Sequence, residues 1–305
     1  MSPTPTWDPE VLARIGALQL RARQAVAGYL HGGHVARRIS SNVEFADYKE
    51  YAPGDPLRDL DWRVAGRSDR LVVRRHQAET EQAVTLVVDA SGDLATGAHG
   101  RYPRDARPPF DGTKWGYAAV LTATLAWWLE HHHEPVGLLV LGGEDVRWKY
   151  LPPQSGGAHL ARILGVLAET RPAGKADIGA RLNELGGRVR GRSLVVLISD
   201  LMEEPDTWGP TLATLLARRA DLRVVHLHDS AEWAFDMGEA AVFQSPEGGP
   251  ALAEDPAEVR DAFLAERDAF LESARNWLGS IQAQLIPAPT DQPMEPVLTR
   301  LLRGI

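Results

Sequence analysis

Residues 83–93 read AVTLVVDASGD, and the build of this stretch decides the fold class. Positions 83–88 form an unbroken apolar or β-branched run with no alternation between wet and dry positions. A strand of that kind is buried on both faces, as in parallel sheets covered by helices on either side. At Asp89 the chain turns abruptly polar, so the strand ends in a carboxylate. Working outward, three further stretches have the same character: 136–141 (VGLLVL), 193–198 (SLVVLI) and 222–227 (LRVVHL). Helical stretches separate them. Residues 114–130 place Trp115, Ala118, Ala119, Thr122, Leu125, Ala126 and Leu129 on one inner side, and further helices are expected at 157–169, 178–188 and 207–219. Strands alternating with helices predict an α/β fold, a doubly wound and mostly parallel sheet.

The flanks read differently. A first helix opens at Asp8-Pro9, with Asp as cap and Pro at the first helical position, and ends at Gly32-Gly33. Leu12, Ile15, Leu18 and Ala22 give it one apolar stripe. Residues 39–75 are short, charged and broken at Pro53-Gly54 and Gly66, which predicts short strands and turns. Residues 146–150 alternate like a strand with one wet face. Beyond the core the pattern predicts an edge strand at 241–244, a turn at 245–250, a helix at 256–278, a last strand at 281–285 and a short closing helix. Three regions follow: an amino-terminal helix and short-strand extension (1–82), the α/β core (83–230) and a carboxyl-terminal completion (231–305).

Composition narrows the function. The 305 residues include no Cys, which excludes thiolate metal sites, iron–sulfur clusters, Cys nucleophiles and disulfides. A net charge of -8, from 33 Lys and Arg against 41 Asp and Glu, argues against a nucleic-acid partner. The charge is uneven: residues 14–75 hold 12 Lys and Arg against 7 Asp and Glu, whereas 203–275 hold 6 against 16. No apolar run is long enough for a conventional membrane span, and the first residues lack the pattern of a signal peptide. The expectation is a soluble cytoplasmic protein. Phosphate-loop, dinucleotide and nucleophile-elbow motifs are absent from the sequence.

In doubly wound sheets ligands collect at the carboxyl ends of the strands. Two such ends carry carboxylates here, Asp89 and Asp200. If their strands are neighbours, both face one crevice, and with the hydroxyl of Ser91 they suit a hard divalent cation such as Mg²⁺. The alternative is that both acids merely cap helices or accept from loop amides. His131-His132-His133 closes a helix, where adjacent side chains diverge, so a three-His metal site is not expected. Trp127-Trp128 reads as core plus one exposed ring. The 92–113 loop, rich in Gly, Pro and Arg, is long for such a connection.

The Asp89-Ala90-Ser91-Gly92-Asp93 stretch resembles the Asp-x-Ser-x-Ser motif of the metal-ion-dependent adhesion site in von Willebrand factor A-like domains. The upstream residues Val43 to Tyr51, Pro53-Gly54-Asp55, Arg58, Asp61-Trp62 and Arg67 are similar to the signature of domain-of-unknown-function family 58. Leu71, Val73, Arg74, Glu79, Ser199-Asp200-Leu201, Ala231-Glu232 and Thr290-Asp291-x-Pro293 continue the likeness. It covers the chain from about residue 30 to the end and is similar to the soluble branch of that bacterial family. The resemblance implies a non-enzymatic interaction or scaffold protein that works with a MoxR-type AAA+ ATPase and a client protein. It also implies a metal held by Asp89, Ser91, Asp93 and Asp200 that accepts a carboxylate from the partner. Two departures bear on that site. Asp93 replaces the second Ser, and Ala176 stands at the position of the ligand Thr, so the metal site is either modified or degenerate. Arg58, Asp61, Trp62 and Arg67 read either as a self-satisfied buttress or as a partner-binding face. The rival reading is a metal-dependent phosphatase with Asp89 as nucleophile. Against it, Ser91 stands where that chemistry wants a second acid.

Overall fold

A computed structural model of the chain describes residues 9–31, 45–50, 72–76, 83–97, 112–143, 149–188, 193–217, 220–235, 241–243, 252–254 and 256–303. The contacts divide the chain into two compact units, residues 32–81 and the remainder. The smaller unit contains an antiparallel ribbon of β1 (Phe45–Glu50) and β2 (Val72–His76). The larger unit begins with α1 (Pro9–His31), opened by Pro9 as its sequence predicts.

The apolar runs become the strands of one six-stranded sheet. These are β3 (Ala83–Ala90), β4 (Val136–Gly142), β5 (Lys149–Gln154), β6 (Ser193–Ser199), β7 (Ala220–His228) and β10 (Gln284–Pro289), in the order β10-β7-β6-β3-β4-β5. Every pairing is parallel except that of β5 with β4. From β3 the chain moves outward to β4. It later enters β6 on the other side of β3 and continues outward to β7. The strand order therefore reverses between β3 and β6, which makes this gap the switch point where ligands of such sheets bind.

Helices cover both faces. On one, Val87, Val195, Leu197 and Val224 pack with Leu182 of α4 (Ile178–Gly186), Trp208 and Leu212 of α5 (Pro205–Ala217), and Leu278 of α7 (Pro256–Ser280). The other is covered by α2 (Lys114–His131), which packs on β3, β4 and β7 and is buried along nearly its whole length. A helix apolar on every side needs a second layer outside it. That layer is α1, through Leu18, Ala22 and Val26, with α3 (Gly157–Glu169) beside it. A short α8 (Glu295–Leu301) follows β10 and touches α1.

Two tail expectations are corrected. The predicted edge strand at 241–244 is β8 (Ala241–Phe243), and it pairs with β9 (Leu252–Glu254) in a separate ribbon rather than with the main sheet. The last strand occupies 284–289, not 281–285, because residues 281–282 turn, with Gln282 in the left-handed region. Pro287 and Pro289 lie inside this strand and argue against a central position. At the sheet edge, paired only to β7, they are tolerated.

Candidate functional site

The ends of β3 and β6 lie side by side, with Val88 opposite Ile198, so Asp89 and Asp200 do reach the same crevice. Asp89 is 2% exposed and engaged on both oxygens. Its Oδ1 accepts from the Ser91 backbone N–H at 2.8 Å and its Oδ2 from the Ser199 hydroxyl at 2.6 Å. Ser199 Oγ in turn accepts from the Leu201 N–H at 2.9 Å. Leu201 holds φ 56°, a left-handed turn that costs a non-glycine residue energy and bends the chain sharply after Asp200. Gly142, at the end of β4, has φ 74°, and a Cβ there would sit 3.0 Å from the Ala90 carbonyl, so the strand ends close tightly.

Asp200 looks the other way. Its Oδ2 is 3.0 Å from Lys114 Nζ, the ammonium at the first residue of α2, and that ammonium lies 3.1 Å from Oε2 of Glu232. Glu232 lies on α6 (Ser230–Ala234), whose N-cap Asp229 accepts from the N–H groups of Ala231 and Glu232. Lys114 itself follows Thr113, whose hydroxyl caps α2 by accepting from the Gly116 N–H at 3.0 Å. A cation in the first turn opposes the helix dipole, so something else must hold it there. Here two carboxylates from two other segments do so.

The titration behaviour follows from these contacts. Burial, then the charge of Asp200, pushes the Asp89 carboxyl up to about 7, against the hydrogen bonds from Ser199 and Ser91. Asp93 lies on the 3₁₀ turn 92–95 and is also raised, by burial and then by Asp200, with Lys114 opposing. Burial alone would lower the Lys114 ammonium, but Asp200 and Glu232 outweigh it, and its pKa rises. His226 on β7 is pushed down to about 3 by burial and by His228, while its ring hydrogen bond to the Asp200 backbone opposes the shift.

The resemblance implies a hard divalent cation held by Asp89, Ser91, Asp93 and Asp200, and the residues present do not fit one. Asp89 is committed to donors of its own chain, Ser91 among them, and the Asp200 carboxylate carries an ammonium. Ala176, at the ligand Thr position, is 4% exposed within the apolar cluster of Ile178 and Leu201 and offers no oxygen. Among the described residues no group of three or more His, Asp or Glu converges as a metal site requires. For the phosphatase reading, Asp89 is 2% exposed and each of its carboxyl oxygens accepts a hydrogen bond within the crevice. Of the three histidines, His131 stacks on Trp127 and His132 on Trp128, each one helical turn back. Arg58, Asp61, Trp62 and Arg67 lie outside the described residues, as does most of the 92–113 loop.

Beside the ion pair the crevice opens into a cavity of about 280 Å³. Lys114 and Asp200 form its polar end, and Met202, Trp233, Phe263 and Phe270 supply apolar walls. Met202 and Phe263 are 66% and 38% exposed, unusual for large apolar side chains. Arg267 lies over the Trp233 ring, 5.3 Å from its centre, and also donates to the Trp233 carbonyl and to Asp268.

The model of the family described as Protein of unknown function DUF58 matches residues 47–270. The chain belongs to that family. Uncharacterized protein Rv1480 of Mycobacterium tuberculosis is 28% identical over 269 residues, covering 85% of this chain and 80% of that protein. The same figures hold for Uncharacterized protein Mb1516 of Mycobacterium bovis. Among solved structures, an aerotolerance-related membrane protein from Bacteroides fragilis covers 73% of this chain and 100% of its own, at 14% identity and TM-score 0.46. BatB from Bacteroides thetaiotaomicron covers 73% and 97%, at 12% identity and TM-score 0.45. Among the described residues of this DUF58 chain no helix is long and apolar enough to cross a membrane.

Sequence reasoning missed four members of the site: Lys114, His226, Ser199 and Glu232, the last two noted only as part of the family likeness. For Lys114 a signal was present. A lysine directly after a capping Thr stands at the wrong end of the dipole and invites a search for an acid. His226, inside a strand, carried no such mark.

Proposed function

We propose that this DUF58 chain is a non-enzymatic interaction module that works in the cytoplasm with a MoxR-type AAA+ ATPase during maturation or remodelling of a client protein. The observation that carries this reading is the cavity at the ends of β6 and β7, beside the switch point, which joins exposed apolar side chains to an acidic rim. Glu204 and Glu266 are exposed on that rim, whereas the positive groups nearby are taken: Lys114 by Asp200 and Glu232, Arg267 by Trp233 and Asp268. An apolar partner segment bearing an Arg or Lys is the complement of such a surface, with charge steering the encounter and apolar burial holding it. The family resemblance supports the ATPase as the source of that segment.

Co-purification of the full chain with a MoxR-type ATPase from the same organism tests the reading. The wild type retains the ATPase, whereas Met202→Glu with Phe263→Glu, or Glu204→Lys with Glu266→Lys, releases it. Failure of the wild type to retain any MoxR-type ATPase sinks the partner. Full retention by both double variants moves the interface away from this cavity.

A further inference from the structure

We propose that the Lys114 ammonium is the resident cation of the crevice, paired with Asp200, one of the four residues to which the resemblance assigns a divalent metal, and that the site works without metal. Two independent observations meet here. The oxygen that the resemblance expects from a Thr is missing, because Ala176 stands there and packs in the apolar cluster. A cation is in place: Lys114, 4% exposed, bridges Asp200 at 3.0 Å and Glu232 at 3.1 Å. Joining carboxylates from separate segments, here the end of β6 and α6, is the task a metal performs in such a crevice. The ammonium performs it at hydrogen-bond distance, where a Mg²⁺ would demand oxygens at about 2.0–2.1 Å in octahedral array. A second cation within a few ångströms of the ammonium would be strongly repelled in so buried a place. The lysine is also well anchored. Its helix is capped by Thr113 and enclosed between the sheet and α1, so the ammonium cannot withdraw by a shift of α2 as a whole.

The two carboxylates are not equivalent. The Asp200 side chain is 4% exposed and that of Glu232 is 35% exposed, so Glu232 forms the outer side of the pair. The crevice thus carries its own cation and its own outer carboxylate, and both positions of a metal-bridged contact are filled from within one chain.

Titration of the full-length chain with Mn²⁺, followed by loss of the free-ion electron paramagnetic resonance signal, tests the assignment. Wild type and Lys114→Arg, which keeps the charge, leave Mn²⁺ free up to ~1 mM, the weak end of biological divalent sites. Lys114→Met keeps the apolar stem but frees the acids, and takes up Mn²⁺ at least ~10-fold more tightly than wild type once the repelling charge is gone. If Lys114→Met folds only in the presence of Mn²⁺, recovery of a cooperative melt on adding the ion is the same gain. Saturable uptake of one Mn²⁺ per chain by wild type, abolished by Asp200→Asn, overturns the proposal. So does a Lys114→Met variant that folds and is as indifferent to Mn²⁺ as wild type. Neither result depends on the identity of the partner.

Discussion

Asp89 and Asp200 follow neighbouring strands and are equally deep, 2% and 3% exposed, yet they do different work. Asp89 faces inward to its own loop and to Ser199, and burial with a nearby like charge raises its carboxyl to about 7. It is a joint that ties the end of β3 to the end of β6. Asp200 turns across the crevice to an ammonium on α2 and, through it, to Glu232 on α6. The same residue type at the same depth becomes a structural tie in one place and half of an ion pair beside a cavity in the other. What separates them is which donor the fold brings within reach: hydroxyl and amide for Asp89, ammonium for Asp200.

That contrast can be broken from either side. The largest effect is expected from Lys114→Met, which leaves Asp200 buried without its counter-charge. Removing one partner of a buried pair costs about 3–5 kcal/mol, read from urea unfolding at pH 7.5 in the absence of metal, and Asp200→Asn added to it restores part of the loss. A loss below ~1 kcal/mol would mean the pair behaves as a solvated one. Next comes Asp89→Ala, which strands the Ser91 N–H and the Ser199 hydroxyl and costs ~2–3 kcal/mol. Asp89→Asn keeps an acceptor oxygen and loses less than half as much. Equal losses from the two would show that charge, not acceptor capacity, matters at Asp89.

A smaller effect is set by pH. His226, facing His228, Lys114 and Arg275, has its pKa depressed from 6.5 to about 3. Below 6.5 the unfolded chain takes up a proton that the folded chain refuses, so this group's contribution to stability falls as the pH drops from 6.5 towards 3, while the raised Asp89 carboxyl contributes in the opposite direction. Between pH 7.5 and 5.5 this group alone removes ~1.4 kcal/mol, so His226→Asn gains stability on acidification relative to wild type by that amount. An unchanged slope would place the proton uptake elsewhere. The smallest effect belongs to Glu232→Gln. Solvent reaches this carboxylate, and its loss costs ~0.5 kcal/mol or less in the same urea assay, well below the cost of Asp200→Asn.

Much of the framework was readable in advance because continuous apolar runs have few alternatives. Residues 83–88, 136–141, 193–198 and 222–227 lie within β3, β4, β6 and β7, and the helix expected at 157–169 is α3. The register of β10 was harder to read, since prolines suited to an edge strand look like breakers until the neighbour is known. The site divided in the same way. The carboxylates at Asp89 and Asp200 were legible as polar punctuation at strand ends. Their partners were not, because Lys114 Nζ meets Asp200 across 86 residues and Ser199 meets Asp89 across 110. Such encounters are decided by strand order, which local pattern does not encode.

The burial of α2 on every side bears on where this protein can be cut. The family match spans residues 47–270, but α1 lies before it, and β10 and α8 lie after it. A fragment trimmed to the matched stretch would bare the outer flank of α2 and the free edge of β7, an apolar surface and an open strand that both invite aggregation. The unit that folds is therefore longer than the unit that recurs. A working fragment has to carry its amino-terminal helix and its last strand along with the recurring segment.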